Sequence, residues 1–312
     1  MTILVGMTVL SYSSNAEAAK YAGEPFHIGV GARALGMGSA FVAVADNVTS
    51  GFWNPAGLGS MSSRQVIFMH SETFGALLNH DYIAFSSPLR SAVGSPVGAV
   101  SLIRLGGGGI KLTEWDFNLN RPVVVKESGH ADYQLLFSYA MQKTDCLKLG
   151  VSTKFVYRDI AGASAFGIGS DFGAQYVFRD NFRVALMMRD VTTTLLSYDT
   201  GTKESIYPTL VPGLMYRRVL GDFEITASAD ADVKFENYRE AAQYWQGSIS
   251  ADTRFGFEIG FQDIAFGRIG SDIGRLTLGC GVSVSPLELD VAYMRQTDID
   301  DSFRISLLVN IK

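Results

Sequence analysis

The chain has 312 residues, of which 47% are hydrophobic and only 18% charged, against a usual charged share of about 25%. With a net charge of −5 and no basic patch, it argues against a nucleic-acid partner. No run after the N-terminus reaches the roughly 18 apolar residues that a transmembrane helix needs, which leaves strands as the only means of crossing a membrane.

The first residues, MTILVGMTVLSYSSNAEAAK, read as a secretory leader. Ile3 to Leu10 is a short apolar core, and Ala16-Glu17-Ala18 fits an A-x-A cleavage pattern. A signal peptide over 1–19 is therefore expected, although it lacks the usual early Lys or Arg. The alternative is a buried first strand or helix. Export leaves soluble periplasmic, secreted and outer-membrane barrel fates open.

Residues 31–58, GARALGMGSAFVAVADNVTSGFWNPAGL, hold five glycines and six alanines. Such residues bring too little apolar area to fill an ordinary core. They suit a backbone fitted into a space already lined by other elements, so 20–62 is expected to be a hatch or plug. Its glycines Gly31, Gly36, Gly38 and Gly57 are the candidate close-packing positions. At its end, Pro55 fixes φ and holds Asn54 extended. Asn54 can bond nearby backbone, and Gly57 permits a positive φ, so a sharp turn at Asn54, Pro55 and Ala56 is expected.

From residue 63 to 312 the signal is period-two alternation, the mark of strands with chemically different faces. In 147–158, Leu147, Leu149, Val151, Phe155 and Tyr157 oppose Lys148, Gly150, Ser152, Lys154 and Arg158. In 166–178, Phe166, Ile168, Phe172 and Tyr176 oppose Gly167, Gly169, Asp171, Gly173 and Gln175. About fourteen strands follow from such counting: 64–71, 79–88, 97–105, 131–141, 147–158, 166–178, 182–190, 209–217, 222–233, 252–261, 263–270, 274–284, 287–296 and 302–312. Short turns alternate with longer connections at 106–130, 191–208 and 234–251, which is the pattern of an outer-membrane barrel. A soluble β-sandwich or propeller would also alternate. Here, however, the polar face mixes glycines with charges of both signs, as a narrow lumen requires. Lys154, Arg158, Asp171, Arg183, Glu258 and Arg304 are the candidate lumen charges. The fold class expected is an all-β, transmembrane antiparallel β-barrel of about fourteen strands, with the N-terminal hatch in its lumen.

GARALGMGSAFVAVAD followed by WNPAGL resembles the N-terminal signature of the FadL-like outer-membrane proteins, particularly the PorV/PorQ-type branch. Phe255-Gly256-Phe257-Glu258 and Leu289-Asp290-Val291-Ala292-Tyr293 are similar to late strands of that branch. The resemblance implies a fourteen-stranded barrel in the outer membrane of a Gram-negative-type bacterium. It also implies a hatch containing the Asn-Pro-Ala motif, here Asn54, Pro55 and Ala56. FadL-type members conduct hydrophobic solutes after a hatch rearrangement, whereas PorV-like members serve type IX secretion. Two functions follow: a plugged conduit for hydrophobic solutes, or a secretion component that binds secreted or secretion-machinery proteins. The partners expected are outer-membrane lipid and, in the lumen, a hydrophobic ligand or detergent. For the conduit, an apolar groove should lead to a break in the wall near Gly94 or Gly98.

Other motifs carry less. Gly29 to Ala34 matches a G-x-G-x-x-A fingerprint but lacks the βαβ context that a dinucleotide site requires. Gly106 to Gly109 reads as a flexible loop. His27, His70, His80 and His130 lack metal-ligand spacing. Asp298, Asp300 and Asp301 form one acidic turn, open to Ca²⁺ or simply solvated. Cys146 sits at a turn and Cys280 on an apolar strand face, so no disulfide framework is expected. No nucleophile motif is present, and neither catalysis, a cofactor nor a metal is expected.

Overall fold

The computed structural model describes residues 23–73, 78–90, 95–179, 181–296 and 301–311. The expected signal peptide lies outside the described residues, as do Gly94, Asp298 and Asp300. Among the described residues there are seventeen strands: β1 (Arg64–Thr73), β2 (Leu78–Pro88), β3 (Val97–Asp116), β4 (Arg121–Gln142), β5 (Leu147–Ile160), β6 (Ala163–Arg179), β7 (Phe182–Arg189), β8 (Thr194–Tyr198), β9 (Lys203–Ile206), β10 (Thr209–Leu220), β11 (Phe223–Lys234), β12 (Tyr244–Gln246), β13 (Ile249–Phe261), β14 (Ala265–Asp272), β15 (Arg275–Val284), β16 (Leu287–Met294) and β17 (Ser302–Ile311).

Fourteen of these make the wall. Each pairs antiparallel with its neighbours in chain order, leaving out β8, β9 and β12. The ring closes where β1 pairs β17, with Arg64 opposite Ile311 and Glu72 opposite Phe303. Closure removes the unpaired edges that a membrane would not tolerate. The alternation predicts the direction of each side chain. On β6, Phe166, Ile168 and Phe172 are exposed while Gly167, Asp171, Gly173 and Gln175 are buried. On β17, Phe303, Ile305 and Leu307 point out while Arg304, Ser306 and Leu308 point in. An apolar outside around a charged inside is the reverse of a soluble sandwich. It is the arrangement lipid requires.

The connections at one end are short: 143–146, 221–222, 262–264 and 285–286 all join wall strands there. At the other end β8 and β9 form a hairpin that adds to β6 above Ile168, and β12 pairs the first residues of β13. The 106–130 connection differs from the loop expected. β3 and β4 run on through it as a two-stranded ribbon, with register shifts at Gly107/Ile110 and Leu112/Thr113. Gly109 takes φ +79° at the first of these, so the glycine run forms a bulge in the ribbon. Cys146 and Cys280 are both free and exposed.

Candidate functional site

The barrel interior holds residues 23–62. Two one-turn helices, α1 (Ala32–Gly36) and α2 (Ser50–Trp53), are joined by turns and followed by a 3₁₀ turn at Pro55–Ser60. α1 packs against β14 to β17, and Pro55–Ser60 packs against β3 to β6. Val30, Phe41, Val44, Phe52, Trp53 and Leu58 form one buried cluster with Ile67, Tyr82, Ala99, Leu136 and Leu308 of the wall. Trp53 donates from Nε1 to the Val30 carbonyl at 2.9 Å, and Phe52 meets its ring edge-on at 5.3 Å.

Glycine on both partners is what allows this fit. Gly38, at φ +61°, leaves no room for a side chain, because a Cβ there would strike the Phe255 carbonyl and the Ser271 backbone. Gly150 on β5 and Gly173 on β6 face Asn54–Ala56 so closely that a Cβ on either would overlap it. Gly31 also adopts a left-handed φ, of +83°. Gly36 stands against Gly279 of β15, where an added Cβ would lie 3.0 Å from the facing Cα. Gly57 departs from expectation, since it is not among the positive-φ residues. It is needed because a Cβ would run into the Ala45 carbonyl.

Asn54 is fully buried and extended, at φ −164°. Its Nδ2 donates to the Val42 carbonyl at 3.1 Å and to the Ala174 carbonyl of β6 at 3.2 Å. Its Oδ1 accepts the Ala56 N–H at 3.1 Å. One side chain therefore ties the turn to itself, to the upstream segment and to the wall. Pro55 starts the 3₁₀ turn, where its missing N–H leaves no donor unmet.

Charged side chains hold the segment from both ends. Toward the short-turn end, Arg33 reaches Glu258 of β13 at 2.9 Å and Asp46 at 3.0 Å. Arg268 of β14 joins Glu258 at 2.5 Å and Asp290 at 2.6 Å. Burial works against the Arg33 charge, but Glu258 and Asp46 outweigh it and hold its pKa well above the ordinary value. Burial likewise opposes ionisation of Asp46; Arg33, Arg217 and Arg183 overcome it and hold that carboxyl below its usual range.

Toward the long-connection end, Lys154 lies between Asp171 at 2.7 Å and Asp190 at 2.8 Å. Asp190 also meets His27 of the segment at 3.1 Å. Arg158 pairs Asp132 at 2.7 Å, and Arg254 bridges Asp232 and Asp272.

The six candidate lumen charges thus all point inward but do not form one centre. Lys154 and Asp171 meet each other, whereas Arg158 and Glu258 belong to separate networks. Arg183 donates to the Ala43 carbonyl at 3.1 Å, and Arg304 donates to the Gly29 carbonyl at 2.5 Å. Sequence reasoning missed Arg33, Asp46 and Asp190. Arg33 and Asp46 had a signal, being the only Asp, Glu, Lys or Arg side chains between 28 and 63.

Above the segment, a cavity of about 690 Å³ lies at the long-connection end. Its floor includes His27, Gly29 and Trp53, and Leu105, Arg158, Arg254 and Arg304 stand in its sides. The break expected near Gly98 is not there, since the β2–β3 ladder is continuous from Asn79↔Gly106 to Pro88↔Val97. The β10–β11 ladder is interrupted instead, between Leu210↔Val233 and Gly213↔Asp230. Pro212 falls in that gap and has no N–H to contribute.

This architecture has solved counterparts. The chain is similar to the CymD monoaromatic hydrocarbon channel, with a TM-score of 0.62 and 12% identity over 91% of this chain and 98% of that one. The fold is FadL-like. The Pseudomonas putida toluene transporter TodX aligns at a TM-score of 0.53 and 13% identity, covering 90% of this chain and 97% of that one. A Pseudomonas aeruginosa FadL homologue aligns at 0.53 and 11%, covering 89% and 98%. No protein-family model and no curated protein matches the sequence.

Proposed function

We propose that the chain is an outer-membrane channel for hydrophobic solutes, exported by a signal peptide over 1–19. Residues 20–62 act as its hatch, and Asn54, Pro55 and Ala56 form the latch. The observation that carries this reading is the filled lumen. Residues 30–58 are almost entirely buried inside a wall whose outer face is apolar, and a cavity of about 690 Å³ waits on the outer side of the segment. A structural wall has no need of such a cavity, which falls in the range of small-molecule sites. The CymD and TodX channels share the fold and are named for monoaromatic hydrocarbons and toluene, so toluene is the first solute to test. Within this proposal, we read the GARALGMGSAFVAVAD and WNPAGL segments as resembling the PorV/PorQ-type branch.

Uptake of labelled toluene into vesicles containing the full chain is expected to exceed that into empty vesicles, and to change when the hatch is deleted. Uptake equal to that of empty vesicles would remove the channel reading. The PorV-like secretion role draws on one feature, the β3–β4 ribbon, which carries Trp115 and an 88% exposed Phe117 beyond the wall. Recovery of secretion-machinery proteins with the purified chain, without an apolar ligand, would favour that role instead.

A further inference from the structure

In the described wall, mid-strand charges mostly point into the lumen. The outward faces of β13 and β15 are apolar, with Phe255, Phe257 and Ile259 on one and Leu276, Leu278 and Val282 on the other. The first three strands depart from this. His70 of β1, Asp81 of β2 and Arg104 of β3 stand in direct register, His70 opposite Asp81 and Asp81 opposite Arg104. All three are about half exposed. His70 Nδ1 meets one Asp81 oxygen at 2.7 Å, and Arg104 Nη1 donates to the other at 3.0 Å. A guanidinium has more donors than this pair uses. Tyr133 of β4 follows Arg104 in the same row.

Beneath the row, the outer face is hollowed into a groove of about 600 Å³ at the seam where β17 meets β1. Its floor is the next outward row toward mid-wall: Leu289, Leu307, Phe68, Ile83 and Leu102, again in continuous register. The strands fix the depth of the polar row. His70 is three residues before the end of β1, and Asp81 three after the start of β2. At about 3.3 Å per residue, both lie within about 10 Å of the long-connection end of that hairpin. Arg104 is two residues short of Gly106, the last residue of β3 that pairs with β2. Charge on a lipid-facing wall is tolerated at that level and costly at the midplane. The polar row therefore stands among lipid headgroups, and the apolar row below it among acyl chains.

We propose that this groove is a binding site for one membrane lipid, with a phosphate headgroup held by Arg104 and Tyr133 and an acyl chain lying along Phe68, Ile83 and Leu102. The planar guanidinium edge matches phosphate oxygens, and the Tyr133 hydroxyl adds a donor to the same group. Asp81 is neutralised by Arg104 and bonded by His70, so it positions the guanidinium over the groove. The inference rests on the wall meeting lipid and not on the solute that the channel carries.

The test is native mass spectrometry of the full chain in detergent micelles. It is titrated with dioleoylphosphatidic acid and with dioleoylglycerol, which has the same chains and no phosphate. A single lipid adduct is expected at a concentration at least about tenfold lower for phosphatidic acid, as one charge-assisted hydrogen bond implies. Arg104→Gln should abolish the preference, and Phe68→Ser should weaken both lipids by a similar factor. Arg218→Gln, which removes an exposed arginine near the short-turn end of β10, should leave the preference intact. Equal binding of the two lipids by the unmodified protein, which needs no variant to fold, overturns the headgroup site. An equal loss in Arg218→Gln and Arg104→Gln also overturns it, because net charge alone would then account for the preference. Displacement of phosphatidic acid by an equal concentration of inorganic phosphate would reduce the groove to an ion site and overturn the lipid. A dimer that forms without lipid and is dissolved by Arg104→Gln would assign the groove to a second copy instead. None of these outcomes bears on toluene uptake by the unmodified protein, so the lipid site and the channel reading fail separately.

Discussion

Replacing Asn54 by alanine should free the N-terminal segment while leaving the wall intact. The fully buried side chain makes three hydrogen bonds, two donated and one accepted. At about 1 kcal/mol each, their loss weakens docking of the segment by about 3 kcal/mol. That is about 150-fold in the ratio of docked to undocked segment. The Val42 carbonyl is not orphaned, because Gln175 Nε2 also donates to it at 3.2 Å. The Ala56 N–H is left without Asn54 Oδ1, and that amide should show the effect first. Hydrogen exchange in detergent, resolved by peptide, is the assay. Amides in 40–58 should exchange about a hundredfold faster in Asn54→Ala, with those of β5, β6 and β13 unchanged. Asn54→Asp keeps the acceptor for Ala56 but turns a carboxylate oxygen toward the Val42 and Ala174 carbonyls, so it should loosen the segment at least as much as Asn54→Ala. Uniformly faster exchange around the ring would show that Asn54 supports the barrel rather than the docking of a separable segment. No change at all would refute the hydrogen-bond argument.

Gly150→Ala places a Cβ within the Pro55–Ala56 backbone; it should cost about 1–3 kcal/mol and give the same exchange signature. Gly108→Ala, with nothing within 4 Å of the added carbon, should be silent. The depressed pKa of Asp46 adds stability that is complete above the ordinary carboxylate value and is lost only as pH falls through the lower folded value. Protease sensitivity of 23–62 should therefore stay flat from pH 7 to about 5 and rise only below about 4; a rise near pH 6 would assign the effect to a histidine. Val151 is exposed on the outer face of β5. Val151→Arg should destabilise the barrel by about 2–4 kcal/mol in lipid vesicles if it sits near the bilayer midplane. A neutral result in urea unfolding would mean that this face does not meet lipid.

The fourteen wall strands were legible because a barrel in lipid has two chemically opposed faces, and a period of two separates them in the sequence. Phe166, Ile168 and Phe172 against Gly167, Gly169 and Gly173 is one clear instance. The reading stopped where that opposition stops. Beyond Leu105, both faces of the β3–β4 ribbon meet water, so Lys111 to Asp116 lose their alternation and Gly106 to Gly109 mimic a loop. Glycine composition marked a tightly fitted segment, but not the contacts. Gly150 matters because Pro55 stands opposite it, and the two are far apart in the chain.

The charges show the same limit more sharply, because pairing inside a barrel is non-local. Arg33 and Glu258 are 225 residues apart and Arg158 and Asp132 are 26 apart, so no local spacing marks either pair. Arg304 shared a face and a residue type with Arg158 and could not be told from it in the sequence. Only when the carboxylates are assigned one by one to the buried cations does Arg304 differ. Five buried cations, Lys154, Arg158, Arg189, Lys234 and Arg268, are neutralised by the chain itself and serve to hold the wall and the segment together. The sixth, Arg304, meets no carboxylate among the described residues. Its bond to the Gly29 carbonyl ties β17 to the N-terminal segment, a contact between residues 275 apart that no spacing in the sequence announces.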